Sequence, residues 1–222
     1  RGMAEQRAEF DVIANDPAMP TFENTIVAAE RSGQTLTRVS NVFFALSGTN
    51  TNPEMERIQT VVAPKLAAHA DAIALDPKLF ARVSTLHAKR DQLGLDAQQL
   101  RLLDRYMLDF VRAGAKLDDK QKVRLREINA ELASLQTTFN QNLLKENNAS
   151  AVVVETRAEL AGLSDGAIAA AAEAAKSRQL EGKYVLALQN TSGQPALVSL
   201  QDRALRERLQ KASVNRASHG GE

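Results

Sequence analysis

The sequence has no cysteine, no tryptophan and only three histidines, and aromatic residues make up 4% of its 222 positions. Without cysteine these residues provide no disulfide, no thiolate metal site and no cysteine nucleophile. The 28 Lys and Arg side chains nearly balance 27 Asp and Glu side chains, so no overall field attracts nucleic acid or an anionic membrane. No apolar run approaches the roughly 20 residues of a membrane-spanning helix. The composition therefore disfavours nucleic-acid binders, membrane proteins and thiol enzymes.

What the sequence does contain is helical patterning, with abundant Ala and Leu and clear helix starts. Thr21 precedes an amphipathic run, and Asn52 and Asp76 each stand directly before a proline, which suits the first turn of a helix. Asp96 and Asp118 are each followed three residues later by Gln, the spacing of a capping box. We predict a mainly α fold, an antiparallel helical bundle.

The pattern changes in the last third of the chain. Residues Ala151 to Glu155 are a β-branched run, and Lys183 to Leu188 alternate as a strand does. Because the connection between them is long, the two strands could pair in parallel or antiparallel fashion. We predict a small two-stranded β element, and two regions: a helical N-terminal region over 1–147 and a smaller α+β subdomain over 148–222.

One predicted helix carries an apolar stripe with alternating steps of three and four residues, which we call the Leu125–Leu143 stripe. Its members are Leu125, Ile128, Leu132, Leu135, Phe139 and Leu143. Such a stripe must be covered by other helices. We expect it to form intramolecular core, and the alternative is that it binds a partner helix.

The three histidines do not form a recognisable metal motif. His69 and His87 lack the H-E-x-x-H arrangement of zinc hydrolases, and His219 stands near the end of the sequence. Since His69 and His87 fall on different predicted helices, the sequence alone leaves a joint metal site open, but we interpret both as helix-surface histidines. The adjacent carboxylates Asp118 and Asp119 point about 100° apart on a helix, so we assign this pair a structural role.

Other catalytic and binding patterns are also missing. The sequence has no G-x-S-x-G nucleophile motif and no glycine-rich phosphate loop. Its most basic stretch is scattered around a helix, far from an aromatic platform, so nucleic-acid binding is not expected. The residues of that stretch are Lys116, Lys120, Lys122, Arg124 and Arg126. We predict no catalytic, cofactor-binding or metal-ligating residue in this chain.

Several stretches nevertheless resemble the N-terminal part of the family M3 (M3A) zinc metallopeptidases, which include thimet oligopeptidase, oligopeptidase A and, with the strongest likeness, bacterial peptidyl-dipeptidase (dipeptidyl carboxypeptidase). They follow one another over nearly the whole chain. The stretches are PTFENTIVAAERSG (Pro20 to Gly33), VFFALSGTNTNPE (Val42 to Glu54), VAPKLAAHADAIALDPKLFARV (Val62 to Val83), DRYMLDFVRAGAKL (Asp104 to Leu117), FNQNLLKENNASA (Phe139 to Ala151), LAGLSDGAIAAAAEAAK (Leu160 to Lys176) and RALRERLQKASVNRA (Arg203 to Ala217).

The resemblance implies a helical peptidase with a deep channel that admits short peptides and releases C-terminal dipeptides. In that family zinc is held by H-E-x-x-H and a more distant glutamate, all in the C-terminal half, and no residue here matches them. The implied partners are therefore the C-terminal catalytic half of the same polypeptide and, in the intact enzyme, short peptide substrates, with no nucleic acid and no membrane. The zinc is expected in the full-length parent and not in this chain.

From these implications we expect the non-catalytic, channel-wall or scaffold portion of a peptidase, truncated at both ends and inert alone. The alternative is a stand-alone helical protein-interaction module without enzymatic activity. Dipeptidyl carboxypeptidase action and endopeptidase action of the parent both stay open. We expect a cytoplasmic location, or a periplasmic one if a leader precedes Arg1. Apolar surface normally covered by the missing half should lie exposed in this chain.

Overall fold

A computed structural model describes residues 1–189, 193–216 and 218. The chain divides into two compact units, Arg1–Thr137 and Thr138–Glu222. This division by contacts falls inside a long helix, earlier in the chain than the change of sequence pattern at 147–148 on which the predicted regions rest.

The first unit is made of helices. It also contains a π-helical turn over Phe22–Val27, directly before the second helix in chain order, and a 3₁₀ turn over Arg90–Gln92, after the fifth helix. The helices are α1 (Gly2–Asn15), α2 (Ala28–Glu30), α3 (Gln34–Thr49), α4 (Pro53–Ala74), α5 (Pro77–Ala88), α6 (Ala97–Arg112) and α7 (Asp119–Ala149), which continues into the second unit.

The helix starts that the sequence predicts from capping residues are confirmed, and the first turn after Thr21 is π-helical. The side chains of Thr21, Asn52 and Asp76 accept hydrogen bonds from backbone N–H groups in the first turns that follow them. At Asp96 and Asp118 both bonds of the capping box are present, since the Gln three residues later accepts from the backbone N–H of the Asp. Each cap pairs N–H groups that would otherwise lack a partner within the helix.

The core of the first unit lies between α1, the π-helical turn Phe22–Val27, α5 and α6. Its central side chains are buried, with Ile26 and Leu103 fully enclosed. The buried members are Ile13, Ile26, Leu79, Val83, Leu86, Leu103, Phe110 and Ala115. On α5 the buried apolar residues recur at the helical spacing that the sequence shows, so this face of α5 is its core face.

Gly33 joins α2 to α3 with a positive φ of 70°, a conformation that favours glycine. Its N–H donates to Glu9 Oε2 at 2.7 Å, which ties the turn to α1. A Cβ at this position would lie 2.2 Å from Nε2 of Gln6, also on α1. The positive φ therefore favours glycine at residue 33, and a side chain there would also require the flexible amide end of Gln6 to move aside.

The second unit contains the predicted β element. Strand β1 (Val152–Val154) pairs antiparallel with β2 (Tyr184–Leu186), which decides between the two pairings that the sequence leaves open. The strands pack with α8 (Asp165–Lys176), α9 (Gly193–Ser199) and α10 (Arg203–Val214). This helical cover is what so short a sheet needs to persist. The mainly α fold with a small two-stranded β element is thus confirmed.

A second glycine position is sterically determined in this unit. Gly162 has a φ of 97°, and a Cβ there would lie 2.0 Å from the backbone oxygen of Ser199. Next to it, the N–H of Gln201 donates to the carbonyl of Ala161 at 2.9 Å. Two stretches far apart in sequence are therefore in direct backbone contact at Gly162.

Within residues 1–189, 193–216 and 218, no helix has both the length and the hydropathy of a membrane-spanning helix.

Candidate functional surfaces

The two described histidines each have a partner of their own. Nε2 of His69 on α4 lies 2.8 Å from Oε1 of Gln6, and Nε2 of His87 on α5 lies 3.1 Å from Oδ1 of Asp104. Partial burial, with the nearby Arg7 guanidinium as a second cause, lowers the pKa of His69. The third, His219, lies outside the described residues.

These donors do not fit a zinc ion. Among the residues that the structure describes, no three His, Cys, Asp or Glu side chains are grouped so that they could hold a metal. A protein zinc site takes at least three such ligands, and His69 and His87 are engaged with an amide and a carboxylate on separate helices. No reaction step is therefore assigned to a metal held by this chain.

The carboxylate pair and the basic stretch both lie around the start of α7. Asp118 caps the helix, and Asp119 is its first residue. Within the basic stretch Lys122 is buried at 8% exposure, whereas Arg124 points outward and pairs with Glu127 at 2.9 Å. These side chains therefore do not form one continuous basic face.

A cleft of about 540 Å³ lies in the first unit between α1, α4 and α6. On one wall the Tyr106 hydroxyl donates to Oε1 of Glu30 at 2.6 Å, and burial, with Glu30 as a further cause, raises the pKa of Tyr106. On the others His69 meets Gln6, as above, and Arg105 pairs with Asp109 at 2.8 Å. The polar groups are thus paired with one another, which makes this cleft better suited to structure than to catalysis.

Sequence reasoning missed a buried cation in the same unit. Arg82 on α5 is 7% exposed. Its guanidinium donates to the backbone oxygens of Asp16 and Ala18 at 2.9 and 3.2 Å, to Asn24 Oδ1 at 3.0 Å and to Thr25 Oγ1 at 3.3 Å, and Asp16 Oδ2 lies at 3.4 Å. We call this set the Arg82 cluster. It fastens the π-helical turn and the segment that precedes it onto α5.

A groove of about 510 Å³ between α1, α3 and α4 is mostly apolar. Its walls include Leu36, Val39 and Phe43 of α3 and Val62 and Leu66 of α4. Val39 is 64% exposed, so this part of α3 presents apolar side chains to the surface.

Four of the six residues of the Leu125–Leu143 stripe are exposed, and Leu125 and Leu143 are partly buried, so the expectation that the stripe forms intramolecular core is wrong. Ile128 is 37% exposed, Leu132 46%, Leu135 58% and Phe139 63%. The helical period identifies an apolar face that requires a packing partner. It does not indicate which part of the protein that partner is. Within the described residues this face of α7 is left uncovered.

Another side of α7 makes a polar contact with α4. Nδ2 of Asn129 donates to Oδ1 of Asp71 on α4 at 2.7 Å. Asp71 is 8% exposed, and its other carboxylate oxygen is buried without a hydrogen-bond partner. The stripe lies about a quarter of a turn around the helix from Asn129.

Comparison with known proteins relates the chain to peptidases. It is 45% identical over 97% of its length to a dipeptidyl carboxypeptidase from Escherichia coli, and 43% identical over 99% to a dipeptidyl carboxypeptidase from Salmonella typhimurium. It is 27% identical over 90% of its length to oligopeptidase A from Haemophilus influenzae. No protein-family model matches the chain.

These matches cover the chain almost entirely but only a part of each relative. The chain spans 32% of both dipeptidyl carboxypeptidases and 29% of the oligopeptidase A, which is about a third of their length. The resemblance that the sequence blocks indicate is confirmed. By sequence, this chain belongs to the M3-type peptidases, the family of dipeptidyl carboxypeptidase and oligopeptidase A, and corresponds to about a third of such a protein.

Proposed function

We propose that this chain is the non-catalytic N-terminal portion of a zinc metallopeptidase, where it serves as scaffold and channel wall for an active site on the rest of the polypeptide. One observation carries the proposal: the chain matches a dipeptidyl carboxypeptidase over 97% of its own length while spanning 32% of that relative. About two thirds of a relative's length is thus left to hold the catalytic groups.

The hydrogen bonds of the two described histidines support the proposal that the active site lies on the rest of the polypeptide. His69 and His87 are each bonded to a protein partner, so the zinc ligands are expected outside this chain. When bound there, zinc would polarise the scissile carbonyl and lower the pKa of its water. The contribution of this chain is steric, because helices that wall a channel limit which peptides reach the zinc.

The proposed substrates are short peptides from which the intact enzyme releases C-terminal dipeptides. The higher identity to the two dipeptidyl carboxypeptidases than to oligopeptidase A supports dipeptide release over internal cleavage.

We propose a cytoplasmic location, with the periplasm as the alternative. Fractionation of cells that express the full polypeptide decides between these compartments.

The test begins with the reading frame beyond Glu222 and continues with the full polypeptide it encodes. With zinc and an internally quenched peptide, we expect turnover by the full polypeptide and none by the 222-residue chain. In the full polypeptide, His69→Gln and His87→Gln should each leave kcat/KM unchanged. Turnover by the 222-residue chain at a rate comparable to the full polypeptide would overturn the proposal, as would loss of activity in both histidine variants with the fold intact.

The alternative function is a stand-alone helical interaction module, and the exposed apolar face of α7 favours it. A stop codon shortly after Glu222 would support this alternative. A long continuation of the frame containing H-E-x-x-H would support the peptidase.

A further inference from the structure

The exposed face of α7 has the properties of a helix-docking surface. Ile128, Leu132, Leu135 and Phe139 follow one another at steps of four, three and four residues, which is the spacing of a coiled-coil seam. Their exposure ranges from 37% to 63%. We call these four residues the α7 seam. Single exposed apolar residues are ordinary, but four in register along three turns mark a contact surface.

A second observation comes from charge. Between Glu131 and Lys145 the sequence LASLQTTFNQNLL carries no charged residue, although 25% of the chain is charged and this helix is widely exposed. Depletion of charge distinguishes the centre of a protein interface from the surrounding surface. A helix that faced only water would gain solubility from charges on these turns, so their absence points to a cover.

From these two observations we infer that the α7 seam docks an amphipathic helix from the part of the polypeptide that lies outside this chain. The inference rests on the proposed function, which supplies that additional length of chain. The relatives are about three times as long as this chain, so ample sequence exists to provide the helix. Because the flanks of the seam carry no charge from Leu132 onward, the partner helix is recognised there mainly by an apolar face and not by complementary charge.

The choice of occupant follows from effective concentration. A helix on the same polypeptide is present at an effective concentration in the millimolar range, which a second copy reaches only in concentrated solution. The seam extends over 12 residues, from Ile128 to Phe139, about 17 Å of helix. A partner helix of three turns therefore covers it, as in the helix-in-groove mode of recognition.

The absence of cysteine from this chain makes a direct test possible. In the full polypeptide, Leu135→Cys places a thiol in the α7 seam, and Val123→Cys places one on another face of α7. The two positions are matched, since Leu135 is 58% and Val123 54% exposed in this chain. Val123 lies about 140° around the helix from Ile128. Alkylation at each site is followed by mass spectrometry of the peptide that carries it, so thiols elsewhere do not interfere.

We expect the thiol at position 135 to react at least tenfold more slowly than the thiol at position 123 in the folded full polypeptide, and both to react alike in urea. Equal rates in the folded protein would overturn the inference, because the seam would then be open, whether to bulk water or to the channel. Protection that disappears on dilution, together with a dimer mass in ultracentrifugation, would also overturn it and assign the seam to a second copy.

Peptidase activity measured on the same variants separates this inference from the proposed function. A full polypeptide that cleaves peptides while both thiols react equally refutes the docking of a helix but leaves the proposed function standing. A full polypeptide that is inactive with zinc while position 135 is protected refutes the proposed function and supports docking. A frame that stops near Glu222 refutes both.

Discussion

Replacing Arg82 by Met provides a strong test of how the first unit is held together. Arg82 is nearly enclosed. Its guanidinium holds two backbone oxygens of the segment between α1 and the π-helical turn and two side chains of the turn itself. Met fills most of the volume of the side chain but donates no hydrogen bond. The substitution therefore leaves several partly buried oxygens without their donor.

The expected cost follows from these contacts. Removing one partner of a buried ion pair costs about 3 to 5 kcal/mol. The Asp16 carboxylate is 26% exposed and lies 3.4 Å from the guanidinium, so water can partly replace the lost cation and the lower end of that range applies. We expect Arg82→Met to lower the free energy of unfolding by about 3 kcal/mol. Arg82→Lys keeps the charge but not the planar set of donors, and should lose less.

The assay is urea unfolding of the first unit's helices, followed by far-UV circular dichroism. With a slope of about 2 kcal/mol per molar urea, the loss corresponds to a midpoint about 1.5 M lower. Arg31→Met is the matched control, because Arg31 and its partner Glu23 are 72% and 70% exposed and such a pair contributes less than about 1 kcal/mol. A midpoint for Arg82→Met no lower than that of Arg31→Met would refute the assigned role of the Arg82 cluster.

Three further predictions concern stability. Gly162→Ala should lower the free energy of unfolding by more than about 1 kcal/mol, because it combines a positive φ with a backbone collision. Gly166→Ala, in open space within α8, should be neutral or stabilising. Similar melting temperatures for the two variants would contradict this prediction. The pKa of His69 is lower in the folded chain, so the unfolded chain binds more protons and the free energy of unfolding should fall as pH drops below about 6.5. His69→Gln should make this dependence on pH flatter. A variant with the same pH dependence as the original chain would contradict the prediction. Tyr106→Phe removes the hydrogen bond to Glu30 and should lower the free energy of unfolding in urea by about 1 kcal/mol. An unchanged urea midpoint would show that this bond does not contribute to stability.

Local features of the fold are well predicted from the sequence. The capping residues Asp96 and Asp118 set helix starts because each side chain bonds to backbone groups only two or three residues away. The two strand patterns are likewise local, and both lie where the structure has strands. The direction of strand pairing is not local, since it depends on how the intervening chain returns, and the structure was needed to assign it.

The surfaces are less predictable for the same reason. The period of the Leu125–Leu143 stripe describes one helix, whereas its burial depends on whatever packs against that helix. The Arg82 cluster joins residues 57 to 66 positions apart, a separation that no spacing rule covers. One signal was nevertheless present: Arg82 lies on the core face of α5, between Leu79 and Leu86. A charged residue on a core face must bring its own partners.

The restricted space at Gly33 has a consequence for how this sequence can drift over evolutionary time. A side chain at residue 33 would require the amide end of Gln6 to move aside, and that amide holds Nε2 of His69. A larger residue at 33 would therefore disturb the Gln6–His69 hydrogen bond, although 27 residues separate the first pair and 63 the second. Among homologues, a residue other than glycine at 33 should occur more often where residue 6 is shorter than Gln. Substitutions at 33 and 6 should thus be correlated, with residue 69 affected through residue 6.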